Sequence, residues 1–177
     1  GAPKAIKALI KGDSFGVPMM SEAEMKKIAK NLPVAYDLAP SAEYFNDKGS
    51  YIKIIDQYIF SNVPRELSFT EANDFLTIDH ELNVQALSNA RNLHTAEFDN
   101  YDMRTRGVDL YAVVGCGAGT IGKVVEARNH SIFGGSNYTV NYIKTEPTYG
   151  DGTVPFESAT NLPIDPLKKY YAPKASH

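Results

Sequence analysis

The residues with the clearest chemical reading are Gly150-Asp151-Gly152-Thr153-Val154-Pro155. Glycines on both sides of an aspartate permit a sharp turn and positive φ, so the carboxylate can project from the end of a preceding strand. In open α/β sheets, ligands and catalytic groups gather at that carboxyl edge. A carboxylate there has a catalytic use if a histidine faces it. It holds the imidazole in one tautomer and stabilises the imidazolium formed during proton transfer. The same residues also make an ordinary Asp-Gly turn between strands, and the motif alone leaves both readings open.

Two other glycine-bounded segments compete. Gly12-Asp13-Ser14-Phe15-Gly16 spells G-x-S-x-G, the nucleophile elbow, which needs a strand before the serine and a helix starting at it. Residues 4–10 instead read as an amphipathic helix, with lysines on one side and Ile6, Leu9 and Ile10 on the other. The next helix starts only at Ser21, beyond Pro18, so Ser14 reads as a loop residue. The segment 115–123 contains G-x-G-x-x-G at Gly117, Gly119 and Gly122 and also G-x-x-x-x-G-K ending at Lys123. Val124 stands where a phosphate loop needs Ser or Thr. The helix and the strand-terminal acid that a dinucleotide fold requires are not evident. A nucleotide-binding α/β domain using the glycine loop 115–123 remains an alternative. Cys116, without an evident histidine partner, reads as a small packed residue rather than a nucleophile.

The elements that must position these motifs can be read from period and punctuation. Ser21 and Glu24 form a capping box, and the helix they start stops before Pro33. Residues 32–46 carry turn signals, and residues 51–60 are β-rich. Ser68 or Thr70 caps a helix containing Phe75 and Leu76, and a longer helix is expected over 79–99. A nearly continuous apolar run over 108–114 predicts a strand buried on both faces. A loop over 115–122 follows, then a strand over 138–143 and a short one near Tyr170-Tyr171. Helices in the first half, then strands separated by loops, predict part of an α/β sheet with a helical insertion.

Composition excludes several classes. The 177 residues carry a net charge of −3 and include 11 Tyr and 8 Phe, which excludes disorder as a description of the whole chain. No run of roughly 18 apolar residues exists to span a membrane. The first residues lack the basic and then apolar pattern of a signal peptide. The charge gives no reason to expect nucleic acid, whose phosphates want a dense Lys/Arg face. With one cysteine, Cys116, no disulfide can form within the chain. The expectation is an ordinary soluble globular domain, with no cofactor and no metal. His80-Glu81 lacks the second histidine of a zinc helix, and His80 and His94 read as helical surface or core positions.

The motif around Asp151 resembles the lecithin:cholesterol acyltransferase family, a lipase-like branch of the α/β-hydrolases, whose triad acid lies in a stretch closely similar to Gly150-Asp151-Gly152-Thr153-Val154-Pro155. Gly1-Ala2-Pro3-Lys4-Ala5 is similar to the stretch after that family's nucleophile helix and next strand. Leu32-Pro33-Val34-Ala35-Tyr36-Asp37-Leu38-Ala39-Pro40-Ser41 is similar to its cap segment. The resemblance covers nearly the whole chain and implies the C-terminal part of an α/β-hydrolase sheet with a mainly helical cap insertion. On it, residues 1–107 are the cap region and residues 108–177 carry the last core strands. Met19, Met20, Phe69 and Phe75 are candidates for apolar lining, with ordinary packing as the competing reading.

Carried over residue by residue, the resemblance makes Asp151 the triad acid. The triad histidine follows one strand later, which residues 168–172 provide. His177, 26 positions after Asp151, is the only histidine after it and becomes the general base. The nucleophilic serine lies upstream of what Gly1 matches, so the implied partner is an N-terminal half of the same protein. The implied substrate is a lipid ester or other acyl ester. An incomplete sheet leaves an unpaired edge, open to self-association or to a complementary chain. A non-catalytic lipid-binding fragment is the remaining alternative.

Overall fold

Helix α1 (Ala2–Ile10) forms where the amphipathic pattern places it, with Ile6, Leu9 and Ile10 buried and Lys4, Lys7 and Lys11 only partly so. The structure is a computed structural model that describes residues 2–13, 20–99, 101–131 and 137–173. Gly12 follows α1 at φ 94°, and a Cβ there would lie 1.8 Å from the Glu22 carbonyl oxygen, so only glycine fits. The Ser21/Glu24 capping box starts α2 (Glu22–Lys30) as expected.

Residues 32–46 are not the plain turn their composition predicts. Pro33 opens α3 (Pro33–Asp37) at a first-turn position, where its missing N–H is no loss, and Ser41 caps α4 (Ala42–Lys48). Strand β1 (Ile52–Gln57) then reverses into β2 (Asn62–Glu66). Every residue of β2 is exposed and it contains Pro64, which an edge strand tolerates. Ser68 caps α5 (Phe69–Asp74), which runs on as a π-helical turn over Phe75–Asp79. The single helix expected over 79–99 breaks here. Glu81 takes φ 52° and Asn83 caps a new helix, α6 (Val84–Leu93), continued by a second π-helical turn over His94–Phe98.

The second half is strand-rich. It contains β3 (Ala112–Gly115), β4 (Ala118–His130), β5 (Tyr138–Gly150), the short helix α7 (Phe156–Thr160) and β6 (Lys169–Ala172). One sheet has the order β2-β1-β4-β5, with β1 parallel to β4 and the other pairs antiparallel. A second sheet is the parallel pair β3-β6. The first sheet therefore joins strands from residues 52–66 to strands from residues 118–150. Two expectations are corrected. Strand β3 is not buried on both faces, since Ala112 and Val114 are buried while Val113 is 77% exposed. Residues 115–122 are mostly not a loop, because β4 already begins at Ala118.

Ile52 and Ile54 alternate onto one sheet face, where Leu9, Tyr36, Phe75 and Leu76 from the helices meet them to form the main core. The same face of β4 carries charge. Glu126 has no exposed surface, and the Nε2–H of His80 donates to its Oε2 at 2.6 Å. Arg128 donates through Nε to Glu126 Oε1 (2.8 Å) and through Nη2 to Asp79 Oδ2 (2.6 Å), and its guanidinium lies 4.1 Å from the Tyr138 ring centroid. Burial pushes the Tyr138 hydroxyl up to about 12, with the charge of Arg128 opposing. One register step along, Asp56 accepts from His130 (2.6 Å) and Arg65 (3.0 Å). Burial pulls the Asp56 carboxyl upward, but these hydrogen bonds and the Arg65 charge hold it below the ordinary carboxylate value.

Two measurements test this arrangement. His80→Ala leaves Glu126 short of a partner where water does not reach, and should cost about 3 kcal/mol in urea unfolding. A cost near zero would remove the network from the account of stability. The depressed Asp56 carboxyl contributes stability that is complete above about pH 4 and is lost as pH falls through its folded value. The stability gap between the parent and Asp56→Asn should therefore narrow between pH 6 and pH 3, and a constant gap would contradict it.

Candidate active site

Asp151 sits directly after β5, in a turn whose shape its neighbours dictate. A Cβ on Gly150 would lie 2.3 Å from the Val154 carbonyl oxygen and 2.4 Å from Thr120 Oγ1, so the chain passes there only as glycine. Gly152 takes φ 92° and its N–H donates to Thr120 Oγ1 at 2.8 Å. The turn closes through Asp151 N–H donating to the Val154 carbonyl (3.3 Å) and through a bridge between Gly150 and Pro155. Asp151 Oδ1 accepts the N–H groups of Thr153 (2.8 Å) and Val154 (2.6 Å). Two backbone donors on one oxygen fix the plane of the carboxylate, which is partly exposed.

The strands set where this carboxylate lies. Strands β4 and β5 form a long hairpin that leaves at Ala118 and returns at Gly150, its paired residue. Asp151 also bridges to Ala118, three residues after β3 ends at Gly115. In the parallel pair, Gly115 is in register with Ala172, and the Cys116 N–H donates to the Ala172 carbonyl at 3.3 Å. The end of β6 and the Asp151 turn thus share the carboxyl edge of the β3-β6 pair. His177 lies outside the described residues, as does Ser14.

Two apolar hollows flank the turn. One, of about 300 Å³, lies between α1, α2 and α3, with Ala8, Met25, Ile28 and Leu38 in its wall and Thr153 of the turn at its rim. The other, open and about 430 Å³, is lined by Cys116, Tyr149, Phe156 and Tyr171. Of the side chains named from sequence as lining, Met20, Phe69 and Phe75 line neither hollow. Phe75 is core and Phe69 packs edge-on against Phe45, while Met19 lies outside the described residues. Met25 and Ile28 carried a signal, since their helical spacing put them on one stripe. Thr120 carried none, being 32 residues from the amide it holds.

The nucleotide alternative loses its geometry. Only Cys116 and Gly117 separate β3 from β4, and Gly119 and Gly122 are strand residues with no helix N-terminus after them to hold phosphate. A Cβ on Gly122 would come within 2.8 Å of the Thr148 side chain, so that glycine serves the approach of β5. Among the described residues, no group of three or more His, Cys, Asp or Glu is placed to hold a metal ion. Nor is any helix among them long and apolar enough to cross a membrane.

The two glycines of the motif should respond differently to substitution. Gly150→Ala forces backbone apart and should cost about 2–3 kcal/mol in chemical denaturation. Gly152→Ala meets only the Ala118 Cβ, at an ordinary contact distance of 4.0 Å, and carries chiefly the conformational penalty of positive φ, about 1–2 kcal/mol. Equal costs would contradict the steric account.

A comparison with curated proteins gives no match. The family model described as lecithin:cholesterol acyltransferase matches residues 1–172, which includes α1, both sheets and the Asp151 turn. The chain belongs to the lecithin:cholesterol acyltransferase family, an α/β-hydrolase-like group whose chemistry on lipid and other acyl esters is lipase- and acyltransferase-like.

Proposed function

We propose that Asp151 and His177 are the acid and base of a Ser-Asp-His triad, with the serine on a segment outside residues 1–177. The serine hydroxyl attacks the ester carbonyl, and His177 takes its proton and returns it to the departing alcohol. Asp151 holds the imidazole and stabilises it while charged. The acyl-enzyme then passes its acyl group to water or to a second alcohol.

One observation carries the reading, the shared edge of the Asp151 turn and the end of β6. His177 is five residues beyond Ala172, and five residues reach at most about 17 Å. The chain order, acid and then histidine after one more strand, is that of the α/β-hydrolases. The hollow with Thr153 at its rim is apolar and within the size range of ligand pockets, which suits an acyl chain. We assign the helices before residue 107 to the cap over that pocket and residues 108–177 to the core. Parallel sheets are covered on both faces and seldom stop at two strands. The exposure of Val113, Tyr170 and Tyr171 on β3-β6 therefore supports a covering layer on that pair, and its two-strand width supports further strands, supplied with the nucleophile by the same protein or a complementary chain.

The test uses this chain joined to a segment bearing the nucleophile elbow, assayed on a short p-nitrophenyl ester. Asp151→Asn should lower kcat by about 10⁴-fold with little change in KM, and His177→Ala should do the same. Activity that survives either substitution would remove the triad assignment.

A further inference from the structure

The β1-β2 hairpin ends in a tight turn over residues 58–61, closed by Tyr58 N–H donating to the Ser61 carbonyl (2.8 Å) and Ser61 N–H donating to Tyr58 (3.4 Å). The two residues at its tip are Ile59, more than half exposed, and Phe60, 97% exposed. Tyr58 and Val63 beside them are exposed as well. An apolar side chain left almost wholly in water adds nothing to folding, so its presence on a turn calls for another partner.

The turn is held firmly from behind. Tyr58 stacks on His130 at 4.7 Å and 17°, His130 is bound to Asp56, and Asp56 to Arg65. Because β1 runs parallel to β4, residues 129–131 and 137–139 lie at the same end of the sheet. Residues 57–64, 129–131 and 137–143 contain no Lys, Arg, Asp or Glu, only amides, hydroxyls, aromatics, aliphatics and His130. The first charges inward on β1, β2 and β4 are Asp56, Arg65 and Arg128, each already paired, and on β5 the first is Lys144, whose Nζ lies 5.3 Å from the Tyr142 ring centroid. This end therefore presents an apolar tip inside a neutral polar collar, with no Lys, Arg, Asp or Glu among the collar positions to desolvate.

We propose that this tip is a lipid-surface anchor, with Ile59 and Phe60 entering the acyl boundary of a neutral phospholipid surface and Tyr58 resting at headgroup level. The dimensions fit. The turn extends about two residues, or about 7 Å, past the last rung Gln57↔Asn62. Interfacial segments bury about 5–10 Å. Rings that are apolar with a polar edge suit that boundary. From the preceding reading the anchor takes only that the substrate is a lipid ester, which such surfaces present. It needs nothing from Asp151.

The chain contains no tryptophan, so Phe60→Trp supplies a single reporter. With phosphatidylcholine vesicles its emission should shift to the blue and be quenched by brominated acyl chains. The Ile59→Ser/Phe60→Ser double variant, with unchanged circular dichroism, should co-sediment with vesicles about tenfold less well or worse. Leu167→Trp, exposed in the turn before β6, should not shift. Asp151→Asn should bind as the parent does, which separates this surface from the catalytic reading. An unshifted Phe60→Trp, as a protein partner for the tip would give, overturns the proposal. So does equal partitioning of the double variant, or an equal shift of Leu167→Trp.

Discussion

Thr120 and Gly150 press together where β5 returns to the start of β4, and the carboxyl edge depends on that contact. The absence of a Cβ at Gly150 lets the Thr120 hydroxyl approach closely enough to receive the Gly152 amide. The turn is then short, and its two amides converge on one oxygen of Asp151. Since Ala118 bridges to Asp151, the carboxylate is tied to the end of β3 rather than to the far end of a hairpin of 13-residue strands. A side chain at position 150 would push the strands apart and move every group that follows.

The second constraint lies in the middle of the sheet. Strand β4 carries Val124, Glu126 and Arg128 on the face that meets the helices, beside Ile52, Ile54 and Asp56 of its parallel neighbour. Burying this much charge is costly and is tolerated because each group finds partners. Glu126 has His80 and Arg128, Arg128 has Asp79, and Asp56 has His130 and Arg65. A slip of one residue would turn Glu126 to the other face, away from His80. The charges thus select one register where aliphatic neighbours alone would accept several. The π-helical turn over Phe75–Asp79 brings Asp79 and His80 to β4 together.

What could be read from the sequence was mostly local. The Ser21 cap, the Ser68 cap and the amphipathic α1 are short-range patterns, and each forms as read. Asp151 was legible for the same reason, since its flanking glycines state the turn. Long-range partners carried no signature. Strand β2 has neither an apolar stripe nor a buried residue, and pairing with β1 alone makes it a strand. Gly122 looks like part of a phosphate loop because a tight strand approach and a phosphate cradle both exclude a side chain, whereas a Cβ on Gly119 would meet open space. Prolines misled at residues 32–46, where Pro33 begins a helix. The break at Glu81 escaped notice because nothing nearby in sequence demands a left-handed residue there.

The long hairpin has a consequence for how such a protein can vary. It departs and rejoins at residues that are paired with each other, Ala118 and Gly150, so it is a side branch on the route from β3 to Asp151. Adding or removing a whole rung at its distal end changes the reach of the branch without shifting its root. Natural variation can therefore remodel what the far end meets while the geometry at the base stays fixed.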